Sequence, residues 1–499
     1  MLCEVFLAVF TVYSLWKLFL NEKEHPLDRV PGPPPKPLFG NALDLMFASP
    51  RELFIILRQY AKDYGDKFVL RIFSKRIIQI NGPKEIEIVL SHSRNITKSK
   101  HYVFLRPWLG TGLLVTTGSK WHTRRKILTP TFHFNILKNF ATVMEEKSRH
   151  MVELLKAKYN DTEVDLMPFI SDFTLYIICE TAMGTQLDFD KSEAAVTYKN
   201  AVLDMGGYVL NRTTKVWLQN EFIFKKLNIG RQFATCLNKI HSFVDNVIME
   251  RKKNSNQSNK NDVTKALDEE VIGGKRRLAL LDLLLEAESK GEINLEGIRE
   301  EVNTFMFAGL DTTATAMTFG LMLLADHEDV QERIYEECQE IFGDSDRTPS
   351  MTDLAQMKYL EAVIKETLRL YPSAPFIARR ITEDFMMGDV LVPKGTEVGI
   401  HIYDLHHRAD LYPDPEVFKP ERFLNGELRH PYAFVPFSAG PRNCLGQRFA
   451  MQEMKCILSE ICRNFALVPR QKGYRPALIV DMVLRPIEPI YVKFVRRQK

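Results

Sequence analysis

The stretch "FSAGPRNCLGQRFA" at residues 437–450 sets one cysteine between two glycines, with an arginine two residues ahead of it. A nucleophilic thiol needs a base, and the histidine nearest in sequence is His430, well upstream of Cys444. A buried structural thiol needs no flanking glycines. A thiolate is also a soft ligand suited to iron, and as an axial haem ligand it pushes electron density toward O–O cleavage. With that chemistry the flanks acquire reasons. Gly440 and Gly446 permit backbone conformations or a close approach that a side chain would block, and Arg442 can neutralise a porphyrin propionate. Beyond Cys444, Met454, Ile457, Leu458, Ile461 and Phe465 recur at helical spacing, which sets the sulfur near a helix N-terminus whose partial charge favours thiolate.

Two other groupings could carry chemistry. "AGLDTT" places Gly309, Asp311 and Thr312 in a segment otherwise almost free of charge. The residues alone leave open a Thr-rich packing face or a ligand-facing notch in which Asp311 and Thr312 supply protons. "MKYLEAVIKETLRLYP" sets Glu366 and Arg369 at i, i+3 on one helix face, and "YPDPEVFKPERF" later supplies Arg422. Exposed, the pair would contribute a few tenths of a kcal/mol. Buried and joined by Arg422, it would be a fixed network.

F-x-x-G-x-R-x-C-x-G, held by Phe437, Gly440, Arg442, Cys444 and Gly446, resembles the haem-binding loop of the cytochrome P450 monooxygenases. Ala308-Gly309-x-Asp311-Thr312 resembles that family's oxygen-activating helix, Glu366-x-x-Arg369 its E-x-x-R pair, and Pro420-Glu421-Arg422-Phe423 the segment completing the triad. Trp121 and Arg125 in "WHTRRK" are similar to its W-x-x-x-R. The resemblance implies the P450 fold, mainly α with small β-sheets, behind an N-terminal transmembrane anchor. It implies haem b with Cys444 on the iron, and propionates held by Trp121, Arg125, Arg379 and Arg442. Asp311 and Thr312 would supply protons for dioxygen reduction, and Glu366, Arg369 and Arg422 would brace the cysteine loop. The implied reaction inserts one oxygen atom from O2 into an apolar substrate, a long-chain fatty acid, terpenoid or xenobiotic. The electrons come from NADPH through NADPH-cytochrome P450 reductase, with cytochrome b5 as a further candidate donor. An isomerase or dehydratase that rearranges peroxides without a reductase is the alternative, and a membrane haem sensor a third class; neither needs the acid–alcohol pair.

"WHTRRKILTPTFHFNIL" and "EVNTFMFAGLDTT" are similar to the fourth family within that superfamily, which includes fatty-acid ω-hydroxylases and many insect enzymes. Ala308 departs from the pattern. Many members of that branch carry there a glutamate that esterifies a haem methyl, and alanine cannot, so the haem is expected to be non-covalent apart from the Cys444 thiolate.

A scaffold must hold these residues. From residue 51 to about 370 the apolar positions fall at three and four spacings, as at Leu278, Leu281, Leu284 and Leu285, so the body is expected to be mainly helical. Strand-like runs are few: "KFVLRIF", "RIIQING" and "DVLVPKGTEVGIHIY". The apolar segment around "AGLDTT" reads as a buried central helix, because its uncharged part is short for a membrane span. Residues 251–277 are polar and read as a mobile surface loop. Basic residues Arg448, Lys455 and Arg463 could face an acidic electron donor or simply be a solvated helix face.

"MLCEVFLAVFTVYSLWKLFL" has sixteen apolar residues in twenty, and a helix of that length spans about 30 Å. Residues 1–20 are therefore expected to be an anchor, 21–50 a proline-rich hinge and linker, and 51–499 the catalytic domain. Lys17, Lys23 and Arg29 lie at or beyond the end of the apolar run and no Lys or Arg precedes it, which points to a body in the cytosol; the resemblance to the family's microsomal members implies the endoplasmic reticulum membrane. Seven scattered cysteines without C-x-x-C spacing suit a reducing compartment. A net charge of +4 over 499 residues implies no nucleic acid partner, and without a Gly-rich dinucleotide fingerprint NADPH should bind the reductase.

Overall fold

Long runs with apolar residues on one face, or on all faces, make this chain mostly helix. The computed structural model describes residues 5–6, 9–11, 13–14, 25–187, 192–265, 279–343, 345–424, 426 and 429–498. The helices that position the site are Gly118–Leu128 (α1), Phe134–Lys158 (α2), Leu166–Thr181 (α3), Glu193–Thr214 (α4), Asn228–Lys265 (α5), Leu295–Asp326 (α6), Lys358–Leu370 (α7) and Gln447–Asn464 (α8). Helix α6 begins where the Asn294 side chain accepts from the Gly297 amide at 2.9 Å. Among the described residues it alone is long and apolar enough to cross a membrane, yet 83% of its most apolar window is buried in the protein. It is the central core helix. Helix α3 packs along it, and a Cβ at Gly309 would lie 2.6 Å from Ile178 Cδ1. The glycine is required by this helix contact, so Ile178 occupies the notch that the sequence left open for a ligand.

Helix α7 starts where the Glu337 carboxylate accepts from the amides of Tyr359 and Leu360, at 2.7 and 2.9 Å, an anion at a helix N-terminus. It stops at Leu370, as expected, because Pro372 drives Tyr371 out of helical geometry.

The strands are Lys67–Ile72 (β1), Lys75–Ile80 (β2), Glu163–Asp165 (β3), Phe376–Arg380 (β4), Phe385–Met387 (β5), Val390–Val392 (β6), Glu397–His401 (β7), Phe465–Pro469 (β8), Leu478–Val480 (β9), Leu484–Pro486 (β10) and Tyr491–Arg496 (β11). One sheet runs β1-β2-β7-β4, with β2 and β7 parallel and the other pairs antiparallel. A second runs β3-β11-β8, and β5–β6 and β9–β10 are two-stranded ribbons. The first hairpin and the β6–β7 region match the sequence expectation. The remaining strands span three to six residues, too short for alternation to separate them from loop.

Two expectations change. The proline run is no free spacer: Val69 donates to Pro31 O at 2.9 Å, Asn41 Nδ2 to Pro33 O and Pro34 O at 3.3 and 3.2 Å, and a Cβ at Gly32 would lie 2.2 Å from Val69 O. It is docked along β1. The polar run from Arg251 continues α5 to Lys265 instead of looping out, and its remainder, with Leu278, lies outside the described residues. Most of the expected anchor, including Cys3 and Lys17, lies outside them as well.

Candidate functional site

The cysteine loop is fixed by its backbone. Cys444 N donates to Phe437 O at 2.8 Å, closing the turn. Gly440 has φ +67°, and a Cβ there would lie 1.9 Å from Leu90 O. Only glycine fits. Gly446, by contrast, would bring a Cβ no nearer than 3.8 Å to Phe132, so the protein itself requires glycine only at the first of the two positions. Cys444 stands just ahead of α8, whose first residue is Gln447 and whose N-cap is Gly446. Burial raises its thiol pKa, while the Gly446 amide and the Arg125 charge act in the opposite direction.

The Cys444 side chain is nevertheless exposed, the sole exposed thiol among the described residues. Cys179, Cys236, Cys338, Cys456 and Cys462 are buried. Cys456, within α8, is 0% exposed, accepts from Ser148 Oγ and has its pKa pushed up by burial, so it is a packed core thiol. Among the described residues no three His, Cys, Asp or Glu side chains are grouped to hold a metal. A metal at Cys444 must therefore bring most of its ligands with it, as a porphyrin does.

Beside the loop lies a cluster of cations. Arg379 is 2% exposed and pairs across an isolated antiparallel bridge with Lys98; its neighbour Arg380 is exposed, which settles which of the two turns inward. Arg442 donates to the carbonyls of Ile96, at 3.1 Å, Leu113, at 3.0 Å, and Thr116, with its guanidinium over the Trp121 ring at 4.6 Å. Carbonyls satisfy N–H groups but leave the charge. None of Lys98, Arg379 and Arg442 makes an ion pair with a carboxylate among the described residues. Burial first, then their mutual repulsion, pushes Lys98 well below its ordinary value and Arg442 down to about 9. Such a cluster calls for an anion, and the two carboxylates of a haem fit it. Arg125, expected to hold a propionate, donates to Asn443 O (2.9 Å) and Asn443 Oδ1 (2.6 Å), which ties it to the cysteine loop. Lys98 was not legible in the sequence, because only the bridge to Arg379 brings it to the site.

Glu366 and Arg369, both 0% exposed, form a bidentate pair with two bonds of 2.8 Å. Arg422 Nε lies 3.3 Å from Glu366 Oε1, and Lys419 N donates to the same oxygen at 3.0 Å. Arg369 also donates to the carbonyls of His406 (3.0 Å), Pro415 (2.7 Å) and Val417 (3.2 Å). The chain then continues to the cysteine: His406 Nε2 accepts from Val435 N at 3.0 Å, and Val435 O accepts from Ser438 N at 2.9 Å, inside the loop. His406 is the link that the motif did not disclose. Burial holds its pKa well below the ordinary range, which keeps the imidazole neutral and able to accept.

On α6, Asp311 is 1% exposed and bonded to Arg485 at 2.7 Å. Thr312 Oγ1 donates to Ala308 O at 2.7 Å, and Ser373 Oγ donates to Thr312 O at 2.7 Å. Acid and alcohol are consecutive on the helix and so point about 100° apart. Of the basic residues considered for a docking face, Lys455 pairs with Glu361 (2.7 Å) and Arg463 with Glu460 (2.6 Å), while Arg448 is exposed.

A family model described as cytochrome P450 matches residues 30–494. Cytochrome P450 4c21 of Blattella germanica is 38% identical over 489 residues, 97% of this chain and 96% of its own length. Cytochrome P450 4c3 of Drosophila melanogaster is 40% identical over 485 residues, 94% of this chain and 90% of its own. Human cytochrome P450 4V2 is 40% identical over 468 residues, 92% of this chain and 88% of its own.

Proposed function

Because the chain belongs to the cytochrome P450 family of haem-dependent oxidoreductases, we propose that it inserts one oxygen atom from O2 into an apolar substrate, a long-chain fatty acid, terpenoid or xenobiotic. Substrate, O2, NADPH and one proton give hydroxylated product, water and NADP+. Haem, when bound, supplies the redox-active iron. Cys444 would hold that iron by its sulfur; Lys98, Arg379 and Arg442, the last stacked on Trp121, would neutralise the propionates; Arg125 would fix the loop through Asn443. Asp311 Oδ and Thr312 Oγ1 would hold and pass the protons that oxygen reduction consumes. The observation that carries the reading is the single exposed thiol at a helix N-terminus beside a buried cation cluster that lacks a carboxylate partner among the described residues.

The reading also includes a seat on the endoplasmic reticulum membrane. Support comes from the apolar first twenty residues and from an exposed apolar surface in which the rings of Phe47 and Trp217 lie 5.9 Å apart and Phe222 is 72% exposed. Lys226 lies over the Phe222 ring, 5.5 Å from its centroid, a cation placed to meet anionic lipid headgroups, while Lys225 pairs with Glu221. NADPH-cytochrome P450 reductase is the proposed electron donor, with cytochrome b5 as a second.

The test is reconstitution with that reductase and product analysis by mass spectrometry across fatty acids, terpenoids and xenobiotics. Substrate-dependent NADPH consumption and oxygen uptake with oxygenated product is the expected outcome. Product from a peroxide alone would mark the isomerase or dehydratase, and no product in either assay a haem sensor.

Ala308 makes a separate prediction. Its methyl group cannot form an ester, so acidified organic solvent is expected to extract all the haem from the wild-type protein, and Ala308→Glu to retain part of it. Haem that stays with the wild-type polypeptide would contradict the non-covalent assignment. Without the ester the haem edge is less rigidly framed, so in-chain oxidation or epoxidation becomes an alternative to terminal attack.

A further inference from the structure

The ribbon β9–β10 brings one arginine to both a bystander carboxylate and the acid of α6. Arg485 donates from Nη2 to Asp311 Oδ2 and from Nε to Asp481 Oδ2, each at 2.7 Å. All three side chains are buried, with 11% of Arg485, 6% of Asp481 and 1% of Asp311 exposed. Asp481 sits against Gly206 of α4, where a Cβ would lie 2.5 Å from its carboxylate, so the glycine makes room for it. The ribbon is tied to the next residue of α6 as well: Leu484 N donates to Ser373 O at 3.0 Å, and Ser373 Oγ to Thr312 O. The other oxygen of Asp311, Oδ1, is buried and has no hydrogen-bond partner among the described residues.

We propose that Arg485 is a positioning residue for proton delivery, which divides its guanidinium between Asp311 and Asp481 so that Asp311 Oδ2 is held and Oδ1 is the oxygen that takes and gives the proton. The proposal rests on the monooxygenase reading. The groups that face Asp311 are Arg485 and Asp481 from the ribbon and the Tyr198 phenol from α4, itself near the Cys179 thiol of α3. Burial holds Tyr198 and Cys179 neutral, so among the described residues one cation, Arg485, is shared by two carboxylates. Burial pushes the Asp311 pKa up to about 6, Asp481 adds to that rise and Arg485 opposes it. Asp311 therefore gains its proton as pH falls through that value, and delivery from it declines as pH rises through it. Removing the Arg485 charge takes away the lowering influence and moves the titration up by roughly one to three units. Removing the Asp481 charge moves it down.

The experiment uses the holoenzyme as wild type, Arg485→Gln, Arg485→Lys and Asp481→Asn. Infrared difference titration follows the protonated-carboxyl band of the resting enzyme, with Asp311→Asn identifying the band, and product formed per NADPH is measured against pH. Arg485→Gln is expected to shift both midpoints upward, Asp481→Asn downward, and Arg485→Lys to stay near wild type. Midpoints that do not move, that move in the same direction in Arg485→Gln and Asp481→Asn, or a moved band with an unchanged coupling profile would each overturn the proposal. The infrared titration needs no turnover. A wild-type enzyme that fails to turn over with the reductase counts against the monooxygenase reading, while an unshifted band counts against the Arg485 assignment.

Discussion

Glu366→Ala is expected to destabilise the protein by about 3–5 kcal/mol, because it strands two buried guanidiniums. Arg369 is 0% exposed and Arg422 is 6% exposed, and Glu366 is the carboxylate that both face. The loss is a large part of the roughly 5–15 kcal/mol that holds a typical domain folded. An exposed i, i+3 pair would lose only a few tenths. The damage should also reach the cysteine loop, since Arg369, the His406 carbonyl, the His406 imidazole and Val435 form one hydrogen-bonded line to it. A steep drop in melting temperature together with loss of bound haem on purification is the predicted pair of results. Glu366→Gln, which keeps an acceptor but removes the charge, should fall between wild type and alanine. A variant that melts within about 0.5 kcal/mol of wild type, a surface-mutation range, would contradict the bracing role.

Cys444→Ser should leave the fold intact and remove the chemistry. Serine conserves the size of the side chain, and the loop is held by other atoms: the Cys444 amide on Phe437 O, Arg125 on Asn443 and the positive φ of Gly440. Melting of the haem-free protein is expected to change by under about 1 kcal/mol, in keeping with an accessible position. Reductase-driven oxygenation should fall by at least about a thousandfold, equivalent to roughly 4 kcal/mol of barrier. The reason is electronic: an alkoxide or water ligand lacks the electron donation of a thiolate. The same substitution at Cys456, buried in α8 against Ser148, should affect stability and leave the haem spectrum unchanged.

What could be read in the sequence was whatever is local in sequence. The turn around Cys444, the helix after it, the i, i+3 pair of Glu366 and Arg369 and the end of α7 before Pro372 all depend on residues a few positions apart. Lys98, His406 and Arg485 were invisible for the opposite reason. Lys98 meets the site across a bridge to Arg379, His406 through Val435, and Arg485 by a ribbon folding back more than a hundred residues after Asp311. Gly309 and Arg125 were seen, but the sequence did not name Ile178 or Asn443 as their partners. Glycine in an apolar helix marks close approach without saying whether Ile178 or a ligand makes it. Arg125 has enough donors to serve a loop and an anion, and spacing cannot choose between them. The polar run after Arg251 shows a related failure, since poverty of apolar residues removes burial but does not forbid a helix propagating from α5.

The most direct test of the account is the carbon monoxide difference spectrum of the reduced holoprotein. Iron held by Cys444 predicts the long-wavelength Soret band of a haem thiolate, absent from Cys444→Ser and retained in Cys456→Ser. A wild-type spectrum of the short-wavelength kind given by imidazole or oxygen ligation, or a thiolate band that survives Cys444→Ser, would contradict it.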